Sequence, residues 1–339
     1  MKSDIKKLLR YPAIFLTLIA VAAAALSLGR YDISPAEVFQ ALQVRIFSPS
    51  ETGGIPELHL TVVWMLRLPR ILMALIVGAA LAAAGTVFQG CFRNPLVEPY
   101  ILGVSSGAAF GAALGMLFPL FFSVQLFAFI FAVAAVTCAY GFGRIRGETP
   151  MITLILAGVI TGSLFSALVS ILKYIAQDAA LRGIVFWLMG GFYYATWSDV
   201  LWLFPVVGGC ILIMGRLGWQ LNILSLGDAQ ACSLGLHAEV YRTVLIVLAT
   251  LATAAAVSAV GIIAWVGLMI PHAARMLVGF DHRRVLPAAA MMGGIFLIVC
   301  DTLARTLSTA EIPIGIITSI AGAPYLFYLL RTKTQTGPL

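Results

Sequence analysis

Charged residues are scarce in this chain. Only 10% of its 339 residues are charged, against about a quarter in soluble domains. Mean hydropathy is +1.02, and residues 99–143 and 243–274 form uncharged runs. Each run is long enough for one or two transmembrane helices. The composition therefore excludes an ordinary soluble domain and predicts a protein embedded in a lipid bilayer.

Several patterns that carry chemistry are also absent. No Walker A phosphate loop exists, because none of the five lysines follows a glycine. A His-Glu-x-x-His zinc motif is missing as well. The five cysteines are odd in number and show no metal-ligand spacing. We therefore expect neither enzymatic activity, nor a bound metal, nor a cofactor in this chain.

Ten transmembrane helices are predicted from the apolar runs. The net charge of +7 comes from cations in short loops between these runs, which argues against a nucleic-acid partner. With the N-terminus inside, fourteen of the 21 lysines and arginines lie on the cytoplasmic side, so both termini are predicted cytoplasmic. Trimming of the first apolar segment as a signal peptide stays open. The predicted helices lie at residues 11–29, twice within 67–115, and at 118–141, 150–172, 197–215, 241–260, 262–279, 285–304 and 312–330.

Two polar segments interrupt the apolar runs, and the whole chain, 1–339, is predicted to form a single transmembrane domain. Residues 30–66 are a predicted periplasmic insert, in which Ser34 and Glu37 form a capping box that starts a short helix. Residues 217–240 are predicted to be cytoplasmic and helical. Within them Asp228 suits a helix N-terminus, and Gly235 suits a left-handed helix end.

The stretch from residue 67 to 115 predicts two apolar helices joined by a proline-bounded turn. The two prolines of the turn, Arg93 to Pro99, deny the backbone two hydrogen-bond donors and force a defined corner. A stripe of small residues follows on one helical face, so a neighbouring helix is expected to approach closely. This stripe consists of Gly103, Gly107, Gly111 and Gly115.

A second small-residue stripe lies on the predicted span at 150–172. Tight helix packing is one interpretation of this stripe, and a path for a bulky solute is the other. The span centres carry no ionisable residue that could relay protons, so conformational energy is expected to enter through partner subunits. The stripe consists of Gly158, Gly162, Ser166 and Ser170.

Seven motifs together resemble the permease subunit of type II ABC importers, the family that carries iron-siderophores, haem and cobalamin. The likeness runs nearly from end to end and is nearest to the cobalamin and haem importer permeases. The motifs are RLPR at 67–70, GAALAAAGTVFQGCFRNPLVEPYILGVSSGA, WLMGGF at 187–192, LNILSLGDAQACSLGL, GLMIPHAARMLVGFDHRRVLP at 267–287, DTLARTL at 301–307 and EIPIGIITSIAGAPYLFYLL at 311–330.

The resemblance implies a homodimer around a central path, two ATPase subunits that bind ATP and Mg, and a periplasmic solute-binding protein. Docking of that protein is expected at Arg67, Arg70 and Arg305. The gate and path are expected at Asn94, Pro95, Leu96, Pro150, Met151, Ile152, Gly158, Gly162 and Ser166. Coupling to the ATPase is expected at Ser225, Leu226, Gly227, Asp228, Ala229, Ala231, Leu234 and Gly235.

Two other functions stay open at this point. A proton-coupled secondary carrier would take up solute without an ATPase, and a membrane scaffold would move no solute at all. Pro150 and Met151 replace the small hydroxyl residues that some relatives carry, which weakens the gate assignment there. The solute itself does not follow from the sequence, since small, weakly polar side chains suit iron-siderophores, haem and cobalamin alike.

Overall fold

The chain folds into a bundle of α-helices, and the predicted all-α fold class is confirmed. The computed structural model describes residues 10–47, 54–118, 123–144, 150–308 and 310–333, and no β-strand occurs within these ranges. The helices are α1 (Arg10–Ser27), α2 (Pro35–Phe47), α3 (Glu57–Thr61), α4 (Leu68–Phe92), α5 (Val104–Leu117), α6 (Val124–Gly143), α7 (Met151–Ile175), α8 (Asp178–Leu188), α9 (Trp197–Arg216), α10 (Gly218–Leu224), α11 (Asp228–Ser233), α12 (Ala238–Val260), α13 (Val266–Val278), α14 (His282–Thr306) and α15 (Ile314–Lys333).

Seven helical segments of the described residues are long and apolar enough to cross a membrane, with α3 and α4 counted as one. Three further apolar helices, α5, α13 and the first part of α15, are shorter. The count of ten spans therefore stays a prediction. Lys2, Lys6, Lys7 and Arg146, which entered the prediction of orientation, lie outside the described residues.

Helix α4 forms the centre of the bundle. The segment Glu57–Phe92 is 83% buried over its most apolar stretch, against 17–33% for α1, α6, α7 and α9. Glycines allow its neighbours to approach it: a Cβ on Gly78 would overlap the carbonyl of Gly293 in α14, and one on Gly85 would overlap the carbonyl of Gly267 in α13. Backbone contact of this kind is how apolar helices pack without large side chains between them.

The glycine stripe of α5 packs against α6, as its spacing predicts. A Cβ on Gly107 would meet the carbonyl of Phe131, and a Cβ on Gly111 would meet that of Phe127. Gly103, at φ +82°, instead forms the left-handed corner that begins α5. The stripe therefore makes α5 and α6 a closely packed antiparallel pair.

The polar insert contains the predicted short helix, α2. The capping box is confirmed: the Ser34 amide donates to Glu37 Oε2 at 2.9 Å, and the Glu37 amide donates to Ser34 Oγ at 3.3 Å. The following helix begins earlier than expected. It starts with α3 at Glu57 and continues through a π-helical turn, Val62–Arg67, into α4. Residues 48–53 of the insert are outside the described part.

Several boundaries differ from the predictions. The uncertain run at 241–279 breaks over residues 261–265, where Gly261 at φ +79° ends α12 and Trp265 at φ +76° precedes α13, whereas Gly267 and Pro271 lie inside α13. Helix α8 was not expected, because eleven residues are too few for the span pattern. The segment at 217–240, predicted to be helical, contains two short helices, α10 and α11, which are separated at Gly227.

Polar and charged residues lie at two opposite ends of the bundle, which we call the arginine end and the short-helix end. Arg67 precedes and Arg93 follows helix α4, and α14 runs antiparallel to it. The arginine end holds Arg67, Arg70 and Arg305. The short-helix end holds α10, α11 and the Asn94 turn.

Candidate functional site

Arg67 is built into the arginine end. Its side chain is only 5% exposed and donates hydrogen bonds to the carbonyls of Leu26 at 2.6 Å, Ser27 at 2.9 Å and Tyr31. These carbonyls follow or end α1 and lack helical partners of their own. Arg67 therefore anchors the C-terminal end of α1 to the start of α4.

A buried carboxylate joins the other two arginines. Asp301 of α14 is 1% exposed, and its Oδ1 accepts from Arg70 Nε at 2.8 Å. Its Oδ2 lies 3.7 Å from Arg305 Nε. Arg305 also donates to the carbonyl of Ala25, and Arg70 NH1 donates to Glu311 at 2.9 Å. Three segments of the chain, α4, α14 and the loop before α15, therefore meet in one ion network, which we call the arginine cluster: Arg70, Asp301, Arg305 and Glu311.

The contacts of the three predicted docking arginines decide which of them is available to bind a partner protein. Arg67 and Arg305 are buried, and each donates to at least one backbone carbonyl of the residues at the end of α1. Arg70 differs, because one of its two carboxylate partners, Glu311, is 29% exposed at the surface. Docking through these three arginines stays a prediction. Of the three, Arg70 has a partly exposed carboxylate partner, Glu311, which an acidic residue of another protein can replace.

The predicted coupling segment presents apolar side chains to its surroundings. Leu226 and Leu234 are 60% and 62% exposed, although both lie in a polar segment. Gly227 separates α10 from α11 at φ +116°, a left-handed conformation that favours glycine. Gly235 follows α11 at φ +77°, as its predicted role in ending the helix requires.

Ion pairs hold α11 in place beneath these leucines. Asp228 lies in the first turn of α11, as predicted, and it also pairs with Arg242 of α12. Arg242 also pairs with Glu239 at 3.1 Å and is itself 4% exposed. Ser225 donates to the carbonyl of Asn222 at 2.6 Å, Ala229 is exposed and Ala231 is buried. Ion pairs with α12 therefore hold this segment in place while its two leucines stay exposed.

The predicted gate corner has the expected non-helical geometry. Arg93 ends α4 in a left-handed conformation at φ 52°. The Asn94 side chain accepts from the Leu96 amide at 2.9 Å, which closes the turn around Pro95. Leu96 itself is 49% exposed. The corner is thus rigid and presents one apolar side chain.

The second predicted gate element lies at the start of α7. Pro150 precedes this helix, Met151 is its first residue, and Ile152 is largely exposed. Further along, a Cβ on Gly158 would meet the Ile101 carbonyl, and Gly162 faces Gly103.

The α7 stripe therefore packs within the chain. Ser166 Oγ lies 3.1 Å from Ser106 Oγ of α5, and Ser170 bonds its own helix. Tight packing is the interpretation that these contacts favour. A role of the stripe in the solute path stays a prediction.

A cavity of about 870 Å³ opens at the arginine end, next to the ion network. Much of its wall comes from α8 and the loop before α9, a region that includes the WLMGGF motif at 187–192. Tyr193 and Glu311 belong to this wall, and the Arg70 guanidinium lies 5.9 Å from the Tyr193 ring centroid. The lining also contains the charged residues Arg182 and Asp199, and it includes the aromatic and methionine side chains of Met73, Met116, Phe186, Trp187 and Phe192.

Metal-ligating residues do not gather anywhere in the described ranges: no group of three or more His, Cys, Asp or Glu could hold an ion there. Cys91, Cys210 and Cys300 are buried as small apolar residues, whereas Cys138 and Cys232 are exposed. His282 contacts Asn222, and His272 lies edge-on to Tyr325.

Long apolar helices with their charges gathered at the two ends define a multi-pass membrane transport protein. The FecCD transport family matches residues 16–332, and the chain belongs to it. Members of this family are permease subunits of ABC transporters in the inner membrane and are not themselves enzymes. The resemblance inferred from the motifs is thereby confirmed.

Individual relatives cover most of the chain. The molybdate import system permease protein MolB of Haemophilus influenzae is 42% identical over 96% of this chain and 97% of that protein. The hemin transport system permease protein HmuU of Yersinia pestis is 41% identical, over 80% and 84%. A solved ABC transporter of metal-chelate type, in an inward-facing conformation, superposes with a TM-score of 0.83 at 40% identity, covering 95% of this chain and 98% of that one.

Proposed function

We propose that this chain is the permease subunit of a binding-protein-dependent type II ABC importer. It moves a bulky metal chelate from periplasm to cytoplasm, driven by ATP hydrolysis in a separate subunit. Its partners are a second copy of itself, two ATPase subunits that bind ATP and Mg, and a periplasmic solute-binding protein. Both termini and the short-helix end are cytoplasmic in this proposal, and the arginine end is periplasmic.

The observation that carries the proposal is the exposed apolar surface of the segment that contains α10 and α11, which an ion pair holds against α12. Leu226 and Leu234 expose apolar surface from a polar segment, and such surface marks a site of contact with another protein. The Asp228–Arg242 pair holds α11 against α12, so force applied there passes into the bundle. This is the surface we assign to the ATPase subunit.

The distribution of charge supports an external energy source. In the described apolar helices, Asp, Glu, Lys and Arg lie within about two turns of a helix end. A proton-coupled carrier needs a titratable group along its path through the membrane. In the described ranges the helix interiors hold no Asp, Glu, Lys or Arg, and their one histidine, His272 of α13, lies against Tyr325, which favours an ATP-driven importer over that alternative.

The arginine end is the proposed docking surface for the solute-binding protein. Arg70 pairs with an acidic side chain of that protein, in exchange for Glu311. Arg67 and Arg305 support the surface by holding the end of α1 in place. The gate is assigned to the Asn94–Leu96 corner and the start of α7.

The cargo is a metal chelate such as an iron-siderophore, haem or cobalamin. The aromatic and methionine lining of the cavity at the arginine end suits a large, partly apolar solute. A small oxyanion is the second candidate, because the molybdate permease matches nearly the whole chain.

Uptake by proteoliposomes containing the permease, its ATPase and its binding protein tests the proposal. We expect ATP-dependent, vanadate-sensitive uptake, and competition among haem, cobalamin, a ferric siderophore and molybdate identifies the cargo. Uptake that persists without the ATPase and collapses with the proton gradient would establish a carrier instead. No uptake under any energisation would establish a scaffold.

A further inference from the structure

Asn222 of α10 forms a hydrogen-bonded junction with the start of α14. Its Nδ2 donates to Asp281 Oδ1 at 2.7 Å, and its Oδ1 accepts from the His282 amide at 2.8 Å. The same oxygen lies 2.8 Å from His282 Nδ1. Asp281 is also the N-cap of α14, because its Oδ1 accepts from the Arg283 amide at 3.0 Å. One amide side chain therefore binds the cap that defines where α14 begins.

Two further contacts hold α10 on this spot. The Arg283 guanidinium lies 5.2 Å from the centroid of the Trp219 ring, within the range of a cation–π interaction. Gly218 lies so close that a Cβ there would be 3.0 Å from the Arg283 Cα. On its other side Leu221 packs against Gly90 near the end of α4. Helix α10 is thus seated on the ends of both central helices.

Helix α14 connects this junction to the opposite end of the protein. It runs without a break from His282 to Thr306. The nineteen steps from His282 to Asp301 correspond to about 28 Å at the α-helical rise. At the far end Asp301 binds Arg70 and Arg305 in the arginine cluster. The same rigid element therefore carries a polar joint at each end of the bundle.

We infer that Asn222 is a positioning residue that makes α10 and α14 move as one body, so that α14 links the ATPase contact to the arginine cluster. The inference rests on the proposed function, since it assigns a route to the coupling that an ATP-driven importer needs. A helix with fixed joints at both ends transmits displacement as a rigid unit. Leu226 and Leu234 then receive the ATPase movement, and Asn222 passes it to α14.

The test exchanges the side chains of Asn222 and Asp281 in the complete complex of permease, ATPase and binding protein. Asn222→Asp places a second carboxylate against Asp281, so uptake per ATP hydrolysed should fall by about tenfold, as expected for loss of a buried polar contact. The double variant Asn222→Asp with Asp281→Asn restores one amide and one acid, and asparagine remains a good N-cap. We expect it to recover most of the uptake per ATP.

Gln43→Glu is the matched control, because it makes the same amide-to-acid change at an exposed position of α2, away from Asp281. It should leave uptake per ATP within about twofold of the wild type, as surface substitutions usually do. Size-exclusion profiles and thermal unfolding of each complex show whether the variants assemble.

The outcomes separate the inference from the proposed function. Normal uptake per ATP in Asn222→Asp overturns the inference. So does a loss that the double variant fails to restore, because the junction is then not the link. A wild-type complex with no ATP-dependent uptake overturns the proposed function and the inference together.

Discussion

Arg70 and Asp301 are 231 residues apart in the chain, yet Arg70 Nε lies 2.8 Å from Asp301 Oδ1. This ion pair joins α4 to α14, the two antiparallel helices at the centre of the bundle. Asp301 is buried between Arg70 and Arg305, and these two cations compensate its charge.

Removal of the Asp301 carboxylate should destabilise the protein strongly. Asp301→Ala leaves Arg70 and Arg305 without their shared buried acid, and loss of one partner from a buried pair costs about 3–5 kcal/mol. Thermal unfolding in detergent measures the effect. Glu57→Gln removes an exposed acid elsewhere and should leave the melting temperature nearly unchanged. Equal melting temperatures for both variants would contradict a structural role for Asp301.

Substitutions of Arg70 and of Glu311 should change the affinity of the proposed binding protein in opposite directions. Arg70→Glu weakens docking in a salt-dependent way, because charge complementarity governs such contacts. Glu311→Gln frees Arg70 from an internal competitor and should strengthen docking by about threefold, the range of a partly exposed ion pair. Binding assays on nanodisc-embedded permease measure both.

The control for this charge effect is Glu57→Gln, which removes the same charge from another acid that does not contact Arg70. Strengthening by both variants alike would show a general charge effect and not competition for Arg70. Unchanged docking in Arg70→Glu would rule out the charge pair.

The glycine stripe offers a test with a built-in control. Gly111→Ala places a Cβ against the Phe127 carbonyl, so α5 and α6 must separate and the melting temperature should fall. Gly141→Ala adds the same methyl group on α6 at a position with nothing within 4 Å. It should be neutral or slightly stabilising, since alanine favours helix over glycine. Similar melting temperatures would contradict the close packing of α5 on α6.

The lowered pKa of Asp281, at the short-helix end, predicts that the stability of the folded protein depends on pH. Hydrogen bonds from Arg283, and then from Asn222, lower the pKa of Asp281 from 3.8 to about 2. A lowered pKa in the folded state means that the stabilisation is fully present above about pH 4 and is lost as the pH falls toward 2.

The difference in melting temperature between the wild type and Asp281→Asn should therefore be constant from pH 8 to 5 and shrink below pH 4. Asp178→Asn, which removes an exposed acid at the start of α8, serves as the control. A difference that stays constant down to pH 3 would show that the Asp281 charge contributes nothing.

Local patterns in the sequence determined where most helices lie. Apolar runs located the long helices, Ser34 and Glu37 marked the start of α2, and the glycine stripe predicted a close neighbour for α5. These signals act over a few residues, because helix periodicity and capping depend on neighbours in the chain. The motifs likewise identified the family, and with it the class of transport protein.

Only the tertiary structure decided which distant residues meet. Arg67 was predicted to face a partner, and the fold uses it to anchor α1. Asn222 stands in the apolar sequence Leu221-Asn222-Ile223-Leu224, where a single polar residue was the one available signal. Its partner Asp281 is 59 residues away. Such pairs are set by how helices pack, which local composition does not encode, and the arginine cluster and the α10–α14 junction therefore emerge only from the folded bundle.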